Sequence, residues 1–98
     1  MSVLRAKQVT ASGLIVGKRA LLRQLVIFHS GGHDVEIKFY DLTAAPSGGE
    51  PYYSFSAYGK GINNLPLVDP GVLFDDGIYV DIPVGDTDAI VTVLYEEV

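Results

Sequence analysis

Ninety-eight residues carry a net charge of −5, 48% hydrophobic residues, 11 Gly and no Cys. The missing cysteines exclude a disulfide scaffold, a Cys-ligated zinc or iron–sulfur centre and a thiol nucleophile. The acidic balance argues against a nucleic-acid partner. The length fits one domain over residues 1–98, with little surplus for a deep catalytic cleft.

Met1–Arg5 lacks the apolar core of a signal peptide, and the longest nearly apolar run, Leu25–Phe28, is far below the ~18 residues that span a bilayer. The expectation is a chain made and assembled in the cytosol, with no membrane partner. Frequent Gly and Pro cut the remainder into short runs rich in β-branched and aromatic residues. The first are Leu14–Val16 and Ala20–Phe28. Arg19–Leu25 is rich in helix formers, but Gly13 and Gly17 before it and Val26-Ile27-Phe28 after it favour a strand. A two-residue turn at Gly31-Gly32 supports the strand reading. It pairs Phe28 with Val35, Val26 with Ile37 and Gln24 with Phe39 on one largely apolar face. The opposite face then pairs Ile27 with Glu36, Leu25 with Lys38 and Arg23 with Tyr40.

Val35–Tyr40 and Tyr52–Tyr58 follow, and Tyr53, Phe55 and Ala57 of the latter are expected to face the core. Val72–Phe74 and Ile78–Ile82 flank Asp76-Gly77, a favoured hairpin pair that would set Phe74 against Tyr79. Ile78, Val80 and Ile82 then point inward, and Tyr79 and Asp81 outward. In Ala89–Tyr95, Ala89, Val91, Val93 and Tyr95 share one face, and Ile90, Thr92 and Leu94 the other. Apolar residues on both faces predict a central strand, or one covered by a neighbour. The fold class expected is all-β: a single antiparallel β-sandwich, jelly-roll-like or immunoglobulin-like, of seven to eight short strands.

The charge is unevenly divided. Residues 1–49 hold six basic and three acidic side chains, a net +3; residues 50–98 hold one and nine, a net −8. Either strands from both halves interleave and mix the charges, or the molecule presents basic and acidic faces to neighbouring subunits.

Few residues suggest chemistry. His29-Ser30-Gly31-Gly32-His33-Asp34 has metal-ligand types, but the predicted register points the two imidazoles to opposite faces and leaves only a His29–Asp34 pair. None of the serines sits in a Gly-x-Ser-x-Gly elbow. Asp75-Asp76 and Asp86-Thr87-Asp88 are acidic loops without the twelve-residue calcium pattern, and Gly59-Lys60-Gly61 lacks phosphate-loop spacing. No catalytic residue, metal or cofactor is expected, and the chain reads as a non-enzyme.

Surface residues say more. Tyr52 and Tyr58 flank small hydroxyls, a composition that suits a protein interface or stacking on a sugar ring. The mixed face of the first predicted hairpin adds Leu21, Arg23, Leu25, Ile27 and Tyr40. These seven residues are the expected partner contact, unless a second sheet or the Thr43–Glu50 loop lies over them.

Pro70-Gly71-Val72-Leu73-Phe74-Asp75-Asp76-Gly77-Ile78-Tyr79-Val80-Asp81, with Ile90–Tyr95 and Val9–Gly13, resembles small β-rich structural proteins of tailed bacteriophages. The resemblance covers about two-thirds of the chain and rests on structural residues. It implies a virion component assembled in the host cytoplasm: a capsid decoration (cement) protein, or a tail adaptor or fibre-associated carbohydrate-binding module. It also implies a homo-oligomer, a trimer favoured, bound to major capsid or tail proteins.

Overall fold

The computed structural model describes residues 3–31, 33–57, 60–67, 71–83 and 89–98. Regular structure among them is all strand: β1 Leu4–Val9, β2 Gly13–Val16, β3 Ala20–His29, β4 Val35–Tyr40, β5 Tyr53–Ala57, β6 Gly61–Pro66, β7 Val72–Phe74, β8 Ile78–Asp81 and β9 Ala89–Glu97. Every pairing is antiparallel. One sheet runs β1-β9-β3-β6, with β7 also on β3, and the other runs β2-β8-β4-β5. No helix among the described residues is long and apolar enough to cross a membrane.

The two sheets bury one shared core. Leu22, Leu25, Ile27, Val91 and Val93 come from the first, and Ile15, Ile37, Phe39, Ile78 and Val80 from the second. Each such side chain contributes about 1.5–3 kcal/mol when fully buried. The arrangement is sandwich-like. The apolar set expected on β4 and the inward set expected on β8 are buried; of the two faces of β9, Ala89, Val91, Val93 and Tyr95 are the buried one, and β9 is central, between β1 and β3. Burial also pushes the Tyr53 phenol above its ordinary pKa.

Two strands were not expected, β1 and β6, and both are sheet edges. β6 reads Gly-Ile-Asn-Asn-Leu-Pro, poor in strand formers, but a sheet edge tolerates its terminal Pro66. β6 pairs with Gln24–His29 of β3 and β7 with Ala20–Leu22, while β9 takes the other side of β3 along its whole length. Hence β6 and β7 lie end to end on one edge of β3. Between them Leu67 N donates to Arg23 O at 3.1 Å.

Both predicted hairpins are corrected. β3 and β4 do not pair and belong to different sheets; Gly32 of the expected turn lies outside the described residues. β7 and β8 also lie in different sheets, so Phe74 pairs with Ala20, and Tyr79 with Leu14 and Tyr40. The faces of β3 change too. A bulge at Arg23 shifts the register between Leu22 and Gln24. Before it Ala20 and Leu22 point inward; after it Leu25, Ile27 and His29 do. Leu25 and Ile27 are therefore core residues, not partner contacts, and Val26 and Phe28 take the outward side.

The charges of the two halves mix. Arg5 pairs with Glu97 and Arg19 with Asp75, each at 3.5 Å, and Arg23 pairs with Glu96. The more exposed Arg5–Glu97 and Arg19–Asp75 pairs are worth about 0–1 kcal/mol each. Together the pairs join three basic side chains of the first half to three acidic ones of the second, so charge of both halves meets at these points.

Candidate interaction surface

The register places the outward residues of the five-stranded sheet in rows. At one end Ile90, Phe28 and Ile62 lie side by side on β9, β3 and β6. The next row is Gln8, Thr92, Val26 and Asn64, and the one after it Ala6, Leu94, Gln24 and Pro66. None of these eleven residues is charged, in a chain that is 19% charged. Phe28 is 42% exposed and Ile62 71%.

The amides of this surface find partners within it. Gln24 Nε2 donates to Asn64 Oδ1 at 2.6 Å, and Gln8 Nε2 to Thr92 Oγ1 at 3.4 Å. Groups already paired lose less when water leaves. At the far rim the Arg23 guanidinium donates to the Glu96 carboxylate, so the charges bordering the surface cancel.

The outer face of the other sheet differs. Glu36 and Lys38 of β4 project there beside Ser56 and Ser54 of β5, and Lys38 faces Asp81 across to β8. This is a solvated face.

A second feature lies at the end of the sandwich. Tyr40, Asp41, Leu42, Gly48, Glu50, Pro51 and Tyr52 line an open cleft of about 470 Å³. Tyr52 is exposed, but its hydroxyl donates to Leu73 O at 2.9 Å and its ring packs edge-on against Phe74 with centroids 4.9 Å apart. Tyr40, expected at the surface, is buried. Asp41 has a structural job: its carboxylate accepts the backbone N–H groups of Asp75 (3.1 Å), Asp76 (2.7 Å) and Gly77 (3.3 Å). It thus holds the β7–β8 crossing against the end of β4. Asp41→Ala removes all three bonds; the N–H of buried Gly77 loses its partner at ~1–3 kcal/mol, whereas those of exposed Asp75 and Asp76 turn to water at smaller cost. The expected loss is about 2–3 kcal/mol, read as a lowered urea midpoint; an unchanged midpoint would mean the clamp carries no weight.

The histidines behave differently from expectation. The rings of His29 and His33 meet edge to face, with centroids 4.9 Å apart, rather than pointing to opposite sides. His29 is buried at the end of β3, and His33 and Asp34 are exposed. Among the described residues no group of three His, Cys, Asp or Glu converges in a way that holds a metal ion.

Of the seven expected contact residues, Leu25, Ile27 and Tyr40 are buried, Leu21 and Arg23 are half-buried, and Tyr52 is exposed. Tyr58 and Asp86-Thr87-Asp88 lie outside the described residues. The surface missed in the sequence is Phe28, Val26 and Ile62. Its one visible signal was the apolar second face of β9, Ile90 and Leu94. Family models, curated proteins and solved structures yield no match to this chain.

Proposed function

We propose that the chain is a non-enzymatic virion structural protein, most directly a capsid decoration protein, working through contacts made by the uncharged outer face of the five-stranded sheet. That face is the observation carrying the proposal. An uncharged surface with two of its amide donors already paired loses less on desolvation than a charged one, and it gains by covering Phe28 and Ile62. Coverage stabilises the assembled state by mass action.

The strand order supports this reading. Counted as one broken strand, β6 and β7 leave eight strands, ordered 1-8-3-6 in one sheet and 2-7-4-5 in the other. We read this as a jelly roll, an architecture common in viral capsid and lectin domains. Fold alone does not assign function, but it agrees with the phage-like Pro70–Asp81 and Ile90–Tyr95 segments. The expected result is that particles assembled from the chain's own genome, purified on a density gradient and quantified by mass spectrometry, contain the chain at a fixed ratio to their shell protein. Its absence from such particles would overturn the proposal.

A second reading, a fibre-associated carbohydrate-binding module, is favoured by the cleft beside exposed Tyr52 and Glu50. Glycan-array binding lost in Tyr52→Ala would select it over decoration.

A further inference from the structure

We propose that Asp76-Gly77 is a latent modification site, where aspartate isomerises to isoaspartate, and that the Asp41 carboxylate holds this reaction off in the folded chain. The pair is the sole Asp-Gly or Asn-Gly step in the sequence. Glycine after the aspartate carries no side chain to shield the attacking nitrogen. Packing keeps it glycine: a β-carbon at 77 would meet the Val16 carbonyl oxygen at 2.7 Å and the Leu42 carbonyl oxygen at 3.0 Å. The Asp76 side chain beside it is exposed.

The reaction is a ring closure followed by hydrolysis. The Gly77 nitrogen attacks the Asp76 carboxyl carbon. A C–N bond forms, a carboxyl C–O bond breaks, and the hydroxyl leaves as water with the amide proton. Water then adds to either carbonyl of the succinimide. Opening at the side-chain carbonyl restores aspartate. Opening at the main-chain carbonyl breaks its bond to the Gly77 nitrogen and leaves the chain running through the Asp76 side chain. Closure needs the Asp76 Cα–C bond to rotate until the nitrogen stands over the carboxyl carbon. The clamp fixes that rotation. Asp76 N and Gly77 N both donate to Asp41 Oδ1, at 2.7 and 3.3 Å, and Asp75 N donates to Oδ2 at 3.1 Å. Successive N–H groups that meet one carboxylate lie on one side of the chain, so the Gly77 nitrogen is turned with its neighbours towards Asp41. The product does not fit the same place, because isoaspartate adds one main-chain carbon between two N–H groups held by a single oxygen.

Peptide mapping of the full chain by mass spectrometry, after ageing at neutral pH, tests this site. Succinimide reads as the loss of one water, and isoaspartate as a retention shift at unchanged mass. The rate at Asp76 in the folded parent is expected to be at least about tenfold below that of the same chain unfolded in guanidinium chloride. Asp41→Ala, shown by circular dichroism to be folded, is expected to react at least about tenfold faster than the folded parent. Leu25→Ala loses core packing but keeps the clamp, and stays near the folded parent's rate. Equal rates in the folded and unfolded parent overturn the proposal, whether or not Asp41→Ala folds. A folded Asp41→Ala at the parental rate overturns it too. So does a Leu25→Ala that matches Asp41→Ala, which would assign the protection to global folding alone. Asp76→Ala abolishes the product; its persistence there would place the reaction elsewhere and remove the site.

Discussion

Leu25→Ala is expected to lower stability by about 2–5 kcal/mol, while Phe28→Ala costs about 1 kcal/mol or less. Leu25 is fully buried between the sheets, and removing its branch leaves a cavity that the close-packed neighbours Ile27 and Val93 fill only in part. Phe28 stands on the outer face with 42% of its surface already in water. In a domain of this length each kcal/mol moves the melting temperature by ~4–8 °C. The Leu25 variant therefore melts at least ~10 °C below the parent, and the Phe28 variant within a few degrees of it. The comparison also tests the Arg23 bulge. Uninterrupted alternation in register with Val35–Phe39 would put Phe28 in the core and Leu25 outside, and would reverse the order of the two variants. Thermal melts by circular dichroism read the result.

Gly71→Ala is expected to cost about 3 kcal/mol or more. Gly71 has φ +107°, a conformation closed to L-residues at a strain of ~1–3 kcal/mol. A β-carbon there would also land on the Leu22 carbonyl oxygen and come within 3.2 Å of Arg23 Cδ. The Leu22 backbone cannot retreat, because it is held between β9 and β7. Gly13→Ala is the control: nothing lies within 4 Å of the added methyl, and its φ is not positive. It stays within about 1 kcal/mol of the parent in urea unfolding. Equal midpoints for the two variants would mean that the chain does not pass so close to β3 where β6 gives way to β7.

Much of the architecture was legible because strands obey a two-residue period. Ile78, Val80 and Ile82 alternate cleanly with polar neighbours, Ala89, Val91, Val93 and Tyr95 share one face of a strand that is apolar on both, and both sets are buried. The pairing was not legible, because β4–β5 is the sole pair of consecutive strands that are hydrogen-bonded neighbours among the described residues. Gly31-Gly32 and Asp76-Gly77 have hairpin composition, yet the strands before and after each, β3 and β4, β7 and β8, belong to different sheets. Local turn chemistry permits either outcome, and the burial of two separate sheets decides between them. The bulge at Arg23 was equally hidden. One extra residue inverted the faces of Gln24–His29 and moved Leu25 and Ile27 from the expected contact surface to the core. The actual surface draws on β6, whose Gly-Ile-Asn-Asn-Leu-Pro is poor in strand formers and is a strand through its pairing with β3.

The most direct test of the uncharged face as the working surface is particle incorporation of two single variants. Ile62→Asp places a charge on that face, and Lys38→Glu reverses one on the other. Desolvating the new carboxylate costs at least ~1.4 kcal/mol, a tenfold change in occupancy. Mass spectrometry of purified particles is expected to find Ile62→Asp depleted at least tenfold and Lys38→Glu at the parental level. Parental incorporation of Ile62→Asp, or loss of Lys38→Glu, would contradict it.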